Sequence, residues 1–248
     1  MTTVLITGAS SGLGAEMARQ LAARGHDLAL AARRTDRLEE LRAEIAVQHP
    51  AVRVEVRALD VNDHDQVFEV FRAFRADFGS IDRVVVNAGL GKGAPLGTGR
   101  FEANKETALT NFVGALAQTE AALEIFRDQQ AGHLVMISSM SAMRGMPKAA
   151  TTYAATKAGV AHLAEGVRVD VLDTPIKVSV IYPGYIRSEM NEKVRNAPFL
   201  VSTEVGVAAM VDAIEKQKPS AWVPAWPWVP LGFALEHLPL RLARRLMS

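Results

Sequence analysis

Tyr153 and Lys157 stand four residues apart in Tyr153-Ala-Ala-Thr-Lys157, and the alanine-rich residues on either side suit one continuous helix. Positions i and i+4 of a helix share a face. An ammonium beside a phenol favours the phenolate, so the pair predicts a tyrosine pKa below its usual ~10. A phenol tuned in this way can pass a proton to or from a substrate oxygen near neutral pH. Ile137-Ser138-Ser139 closes an apolar run and adds hydroxyl groups. Alternation along a strand turns Ser138 to the side opposite Ser139. Asn111 lies inside a helical stretch although asparagine is a mediocre helix former. Its plain alternative is a polar residue on a solvated face.

These residues need a scaffold, and the chain alternates short apolar runs with longer stretches of helical period. That rhythm predicts βαβ units and a parallel sheet. Strands are expected near Val4–Ile6, Asp27–Ala31, Arg53–Ala58, Arg83–Asn87, His133–Ser138, Lys177–Ile181 and Ala221–Val223. Helices are expected near Gly14–Arg24, Arg34–Val47, Asp63–Phe78, Arg100–Arg127, Thr152–Leu172 and Thr203–Lys216. The fold class is therefore α/β, a single doubly wound domain over 1–248 with about seven parallel strands and helices on both faces.

Composition narrows the function. The 248 residues carry a net charge of +1, with 49% hydrophobic and 22% charged side chains, which gives no argument for nucleic acid. There is no cysteine, so thiolate nucleophiles, disulfides and cysteine-ligated metals are excluded. The six histidines show no ligand spacing, and no metal is expected. The chain opens without a basic segment followed by a long apolar one, so a cytoplasmic location is expected.

The first strand runs into Thr7-Gly8-Ala9-Ser10-Ser11-Gly12-Leu13-Gly14 and then into helix-forming residues. Gly8 permits the turn, Gly12 lets the backbone approach a pyrophosphate, and Gly14 lets the helix lie close to the strand. The helix N-terminus offers N–H groups and a positive dipole end to phosphate. The second strand ends in Ala31-Ala32-Arg33-Arg34, with no carboxylate before Asp36. An acidic residue there would bond the ribose 2′-OH of NAD, whereas guanidinium groups bind a 2′-phosphate. The expected cofactor is NADP(H), with Arg33 the first contact and Arg34 the second. The alternative is a pair of solvated arginines opening a helix.

The Thr-Gly-x-x-x-Gly-x-Gly spacing, Asn87-Ala88-Gly89 after the fourth strand and Tyr153-x-x-x-Lys157 make the chain resemble the short-chain dehydrogenase/reductase family from about Val4 to Met190. The resemblance implies a catalytic set of Asn111, Ser139, Tyr153 and Lys157. Ser139 would hold the substrate oxygen, and Asn111 would bend its helix and help hold a water. Ser139 precedes Tyr153 by 14 residues and Ser141 by 12, so Ser141 is the alternative. Asp60 and Val61 would contact the adenine, and Asn87, Ala88 and Gly89 the adenosine ribose, although Asn87 can equally tie neighbouring strands. Tyr153 and Lys157 would also meet the cofactor, Lys157 through the nicotinamide ribose. Pro183 and Gly184 would form the turn beside the nicotinamide, Ile186 would offer its backbone to the carboxamide, and Ser188 would replace the usual threonine. The partners implied are a small carbonyl or alcohol substrate and further copies of the chain, as a homodimer or homotetramer.

Two segments lie outside these motifs. Residues 187–208 are expected to cover the pocket, and their mixed apolar and charged content suits an apolar or amphipathic substrate. The extension 221–248 holds all three tryptophans, Trp222, Trp226 and Trp228, interleaved with Pro224, Pro227 and Pro230. It is read as packing on the sheet edge, the pocket or a partner, with peripheral membrane contact through its basic end as the second reading. A cofactor-binding sensor without turnover and an epimerase or dehydratase are the alternative functions. The complete set of four polar residues argues against the first, and the short C-terminal region against the second.

Overall fold

The computed structural model describes residues 2–189 and 199–247. Seven parallel strands form one sheet: β1 (Thr3–Thr7), β2 (Asp27–Ala32), β3 (Val54–Ala58), β4 (Arg83–Val86), β5 (His133–Ile137), β6 (Lys177–Pro183) and β7 (Ser220–Val223). Their order is β3-β2-β1-β4-β5-β6-β7. Every residue of β1, β4 and β5 is buried, as expected of runs rich in Val, Ile and Leu that have helices on both sides. Register pairs Ile6 with Leu30 and Val85, and Ile137 with Ile181, so the carboxyl ends line up along one edge. Chain order reverses between β1 and β4, which opens a crevice at that edge.

Helices α1 (Gly12–Ala23), α2 (Thr35–Gln48) and α7 (Thr203–Glu215) cover one face with Met17, Leu21, Leu38, Ile45, Met210 and Ile214. On the other face lie α3 (His64–Phe78), α4 (Phe101–Ala108), α5 (Gly114–Gln129) and α6 (Thr151–Asp170), around Phe71, Phe74, Phe126 and Ala164. Local signals set the ends. The Asp63 side chain accepts from Gln66 N at 3.1 Å at the start of α3, and Gly79 closes that helix at φ +79°. Ser202 caps α7 through Val205 N.

One expectation needs correction, and two segments gain detail that their sequence left open. The single helix expected over Arg100–Arg127 is broken by a π-helical turn at Leu109–Val113, between α4 and α5. The proline-rich tail folds into α8 (Ala225–His237) and α9 (Leu240–Met247). Trp226 keeps non-helical angles, so Pro227 and Pro230 fall in the opening turn, where few backbone N–H groups have intrahelical partners. Of the covering segment 187–208, residues 190–198 lie outside those described, and 203–208 open α7 with Gly206 and Val207 buried. That last part packs closely on the site, since a Cβ on Gly206 would lie only 2.6 Å from Ile186.

Candidate active site

The crevice at the carboxyl edge is a cavity of ≈ 840 Å³. Its floor is the turn from β1 to α1. Gly8 has φ +65°, and a Cβ there would sit 2.9 Å from Ala88 Cα. A Cβ on Gly14 would sit 2.4 Å from Gly8 O, so the helix can lie against the turn only without one. Ser11 precedes α1 in extended conformation and makes no side-chain cap, which leaves the first N–H groups for a ligand. Asn87 Nδ2 donates to Thr7 O at 2.9 Å, while Thr7 Oγ1 accepts from the backbone N–H groups of Asn87 and Ala88. The Asn87 amide thus ties β1 to the end of β4, and Ala88 and Gly89 continue along the cavity wall.

The arginines are arranged unequally. Arg33 is exposed at the cavity rim and has no ion pair among the described residues. Arg34 donates to Ser10 Oγ at 3.3 Å, to Ser11 Oγ at 2.5 Å and to Glu189 at 3.2 Å. Arg37, one helical turn further along α2, pairs with the other Glu189 oxygen. Glu189 is held below the usual carboxylate range, first by Arg37 and also by Ser11 and Arg34. Asp60 and Val61 line the opposite side of the cavity. The Asp60 carboxylate accepts from Asn62 N at 3.0 Å.

Helix α6 and the end of β5 bring the polar set together on the remaining wall. Ser138 Oγ donates to Lys157 O at 2.7 Å and points away from Tyr153, as strand alternation requires. Ser139 hydrogen-bonds the Tyr153 phenol. Ser141 donates to Ser139 Oγ through both its N–H, at 3.1 Å, and its hydroxyl, at 3.0 Å. Both serines therefore stand at the site, with Ser141 behind Ser139. Asn111, in the π-turn, accepts from Leu90 N at 2.6 Å and donates to Leu90 O at 2.9 Å. A Cβ on Gly89 would lie 3.3 Å from Asn111 Oδ1 and 3.6 Å from Lys157 Nζ, so these groups converge on one point.

The Tyr153–Lys157 pair departs from expectation. Burial holds the phenol above its ordinary value, the Ser139 hydrogen bond opposes the shift, and Tyr185 adds to it. Lys157 Nζ donates to Ile137 O at 2.9 Å and lies 5.9 Å from the ring centroid of Tyr153. Its charge is spent on a carbonyl rather than on the phenol, and desolvation lowers its own pKa to about 8.

The tail lies at the pocket, one of the placements read for it, and supplies wall residues outside the motifs. Trp228 and Leu235 of α8 line the cavity with Met140, Met146 and Tyr185. Trp228 meets the Tyr185 ring at 5.6 Å, tilted by 59°, and covers Gly184, where a Cβ would lie 2.2 Å from its Nε1. That indole N–H is buried without a partner among the described residues. Pro183, Gly184, Ile186 and Ser188 all border the same space. An orphaned donor there, a floor that excludes Cβ atoms and cations at the far rim fit a dinucleotide laid from β2 to β6. Only the clustering of tryptophan with proline marked this segment in the sequence. Arg37 was findable as the residue one helical turn from Arg34.

A model of the family described as short chain dehydrogenase matches residues 2–198. An uncharacterized oxidoreductase of Mycobacterium tuberculosis is 52% identical over 242 residues, 98% of this chain and 96% of the relative. An 11-beta-hydroxysteroid dehydrogenase 1A of Arabidopsis thaliana is 33% identical, covering 90% of this chain and 68% of that protein. Among solved structures, a short-chain dehydrogenase from Sphingobium yanoikuyae in complex with NADPH aligns with a TM-score of 0.84 at 27% identity, covering 100% of this chain and 96% of that one. The chain belongs to the short-chain dehydrogenase/reductase family. It is an oxidoreductase with a Rossmann-type site for NAD(P).

Proposed function

We propose that the protein is an NADP(H)-dependent reductase that interconverts a carbonyl and an alcohol on an apolar or amphipathic substrate, in the cytoplasm and as a homo-oligomer. One observation carries the reading: Ser139, Tyr153 and Lys157, with Asn111 behind them, meet on one wall of a cavity whose other end is the glycine turn and the arginines. NADP(H), when bound, supplies or accepts the hydride. Gly8, Gly12 and Gly14 would admit its phosphates, and Arg33 and Arg34 its 2′-phosphate. The absence of a carboxylate at the end of β2 and the NADPH complex of the Sphingobium relative support that choice.

Tyr153 gives its proton to the substrate oxygen in reduction and recovers it in oxidation. A phenol kept protonated by burial suits the acid role. Ser141 fills acceptor positions on Ser139 Oγ, so the Ser139 hydrogen is directed outward to the phenol or to the developing alkoxide. Lys157 is positioned for the nicotinamide ribose. Asn111 fixes Leu90 and hence the loop behind Gly89, where a water can reach Lys157 and restore the proton. Leu90, Met140, Met146, Trp228 and Leu235 would face the substrate, and the steroid named for the Arabidopsis relative has the same apolar character.

Tyr153→Phe tests the reading. It should bind NADPH normally and lose turnover by on the order of 10²–10⁴-fold, the size of a general-acid contribution. Retained turnover would remove Tyr153 as the acid. A wild-type protein that binds NADPH yet reduces nothing in a broad carbonyl panel would favour the sensor reading.

A further inference from the structure

No charged residue stands between Lys218 and Glu236, yet much of that stretch is not buried. The inward positions of α8 are Trp228, Gly232 and Leu235, at helical spacing. Trp228 and Leu235 meet the cavity, and a Cβ at Gly232 would lie 2.0 Å from the Trp222 ring. Facing away are Trp226, Val229 and Phe233, which are 78%, 47% and 65% exposed. Helix α8 is therefore apolar on both faces, and the fold occupies only one of them. Beyond the Leu238-Pro239 link, Leu240 and Leu242 extend the exposed apolar surface. Single exposed apolar residues are ordinary, but a contiguous group of large ones marks a contact surface.

The adjacent charges select the partner. Ala243 of α9 is fully buried, whereas Arg241, Arg244 and Arg245 are exposed at spacings of three and four, on one side of the helix. No acidic residue follows Glu236. A second copy docking here about a two-fold axis would bring these like charges together. Leu109, Phe112 and Leu116, exposed on the other side of the sheet, offer a copy an apolar surface without that repulsion.

We propose that the outer face of α8 together with α9 is a docking surface for an anionic membrane. Trp226, Val229, Phe233, Leu240 and Leu242 enter the boundary between headgroups and acyl chains, and the α9 arginines meet acidic headgroups. The inner face of the same helix walls the cavity, so docking brings that wall to the phase in which apolar carbonyl compounds dissolve. This consequence rests on the proposed substrate class. The docking itself does not.

The experiment is co-sedimentation of the full-length protein with vesicles of phosphatidylcholine alone or mixed with phosphatidylglycerol. It is paired with intrinsic fluorescence, because all three tryptophans lie in this segment. Phosphatidylglycerol vesicles should pull down the protein, shift its emission to the blue and release it as salt rises. Phosphatidylcholine should bind far less. Phe233→Asp should weaken binding by on the order of tenfold, and Arg241→Glu with Arg244→Glu should abolish the preference for phosphatidylglycerol. Both variants should keep turnover of a water-soluble carbonyl compound. Absence of binding at low salt, or binding that these changes leave untouched, would overturn the proposal. So would a fall in sedimentation coefficient of Phe233→Asp without lipid, which would give the surface to a second copy.

Discussion

At the scale of single residues, the arginine cluster already holds an anion of its own. Glu189 accepts from Arg34 and Arg37 and is hydrogen-bonded by Ser11, the kind of partners a 2′-phosphate would seek. These pairs are exposed, so each is weak and can be displaced by a group of higher charge. Glu189→Gln should therefore tighten NADPH by about two- to fivefold and leave NADH unchanged, read by fluorescence titration of each cofactor. Equal gains for both cofactors would mean that Glu189 does not compete for the phosphate position. Replacing Arg33, which has no ion pair to give up among the described residues, should weaken NADPH alone. The spacing of Tyr153 and Lys157 was legible in the sequence, but the direction of the phenol's shift was not. Spacing reports which side chains share a face, whereas the shift depends first on burial, opposed by the Ser139 hydrogen bond and reinforced by Tyr185.

At the scale of elements, the sequence predicts all seven strands and places their ends well. The strands are buried on both faces and so read as short apolar runs, and Gly8 and Gly79 mark real backbone turns at positive φ. The π-turn at Leu109–Val113 was hidden because an inserted residue changes hydrogen bonding without disturbing composition. Helix α8 was hidden because prolines read as breakers, and only their place in the opening turn makes them tolerable. The same π-turn sets an apolar surface outward. Leu109, Phe112 and Leu116 are partly exposed, with Phe112 laid against Gly159 of α6. Pairing of this surface with a copy of itself is the physical ground for the proposed homo-oligomer. Sedimentation at micromolar concentration should show at least a dimer, and Leu116→Glu should shift it toward monomer. A monomeric wild type would remove the claim.

At the scale of the whole molecule, the sheet carries its polar chemistry at two opposite edges. The cavity lies at the carboxyl ends of the strands. At their amino ends, His133 of β5 accepts from Arg83 Nε on its Nδ1 at 3.0 Å and meets Ser179 Oγ of β6 through Nε2 at 2.7 Å. Arg83 continues to Glu215 at the end of α7, and Glu215 to His26. Desolvation, with Arg83 adding to it, holds the His133 ring at about 3 against an ordinary 6.5. Between those values the unfolded ring binds a proton that the native ring does not, so stability rises with pH across the window and is lost as pH falls from 6.5 toward 3. The full gap corresponds to about 5 kcal/mol. Glu215, whose pKa is lowered from 4.5, loses its contribution only below that range, so the upper part of the window separates His133 from that carboxylate. Urea unfolding between pH ~6.5 and ~5 should show falling stability in the wild type. His133→Gln can keep a donor and an acceptor but cannot titrate, and it should flatten that slope even if it lowers stability throughout. An unchanged slope in the variant would place the acid sensitivity elsewhere in the molecule.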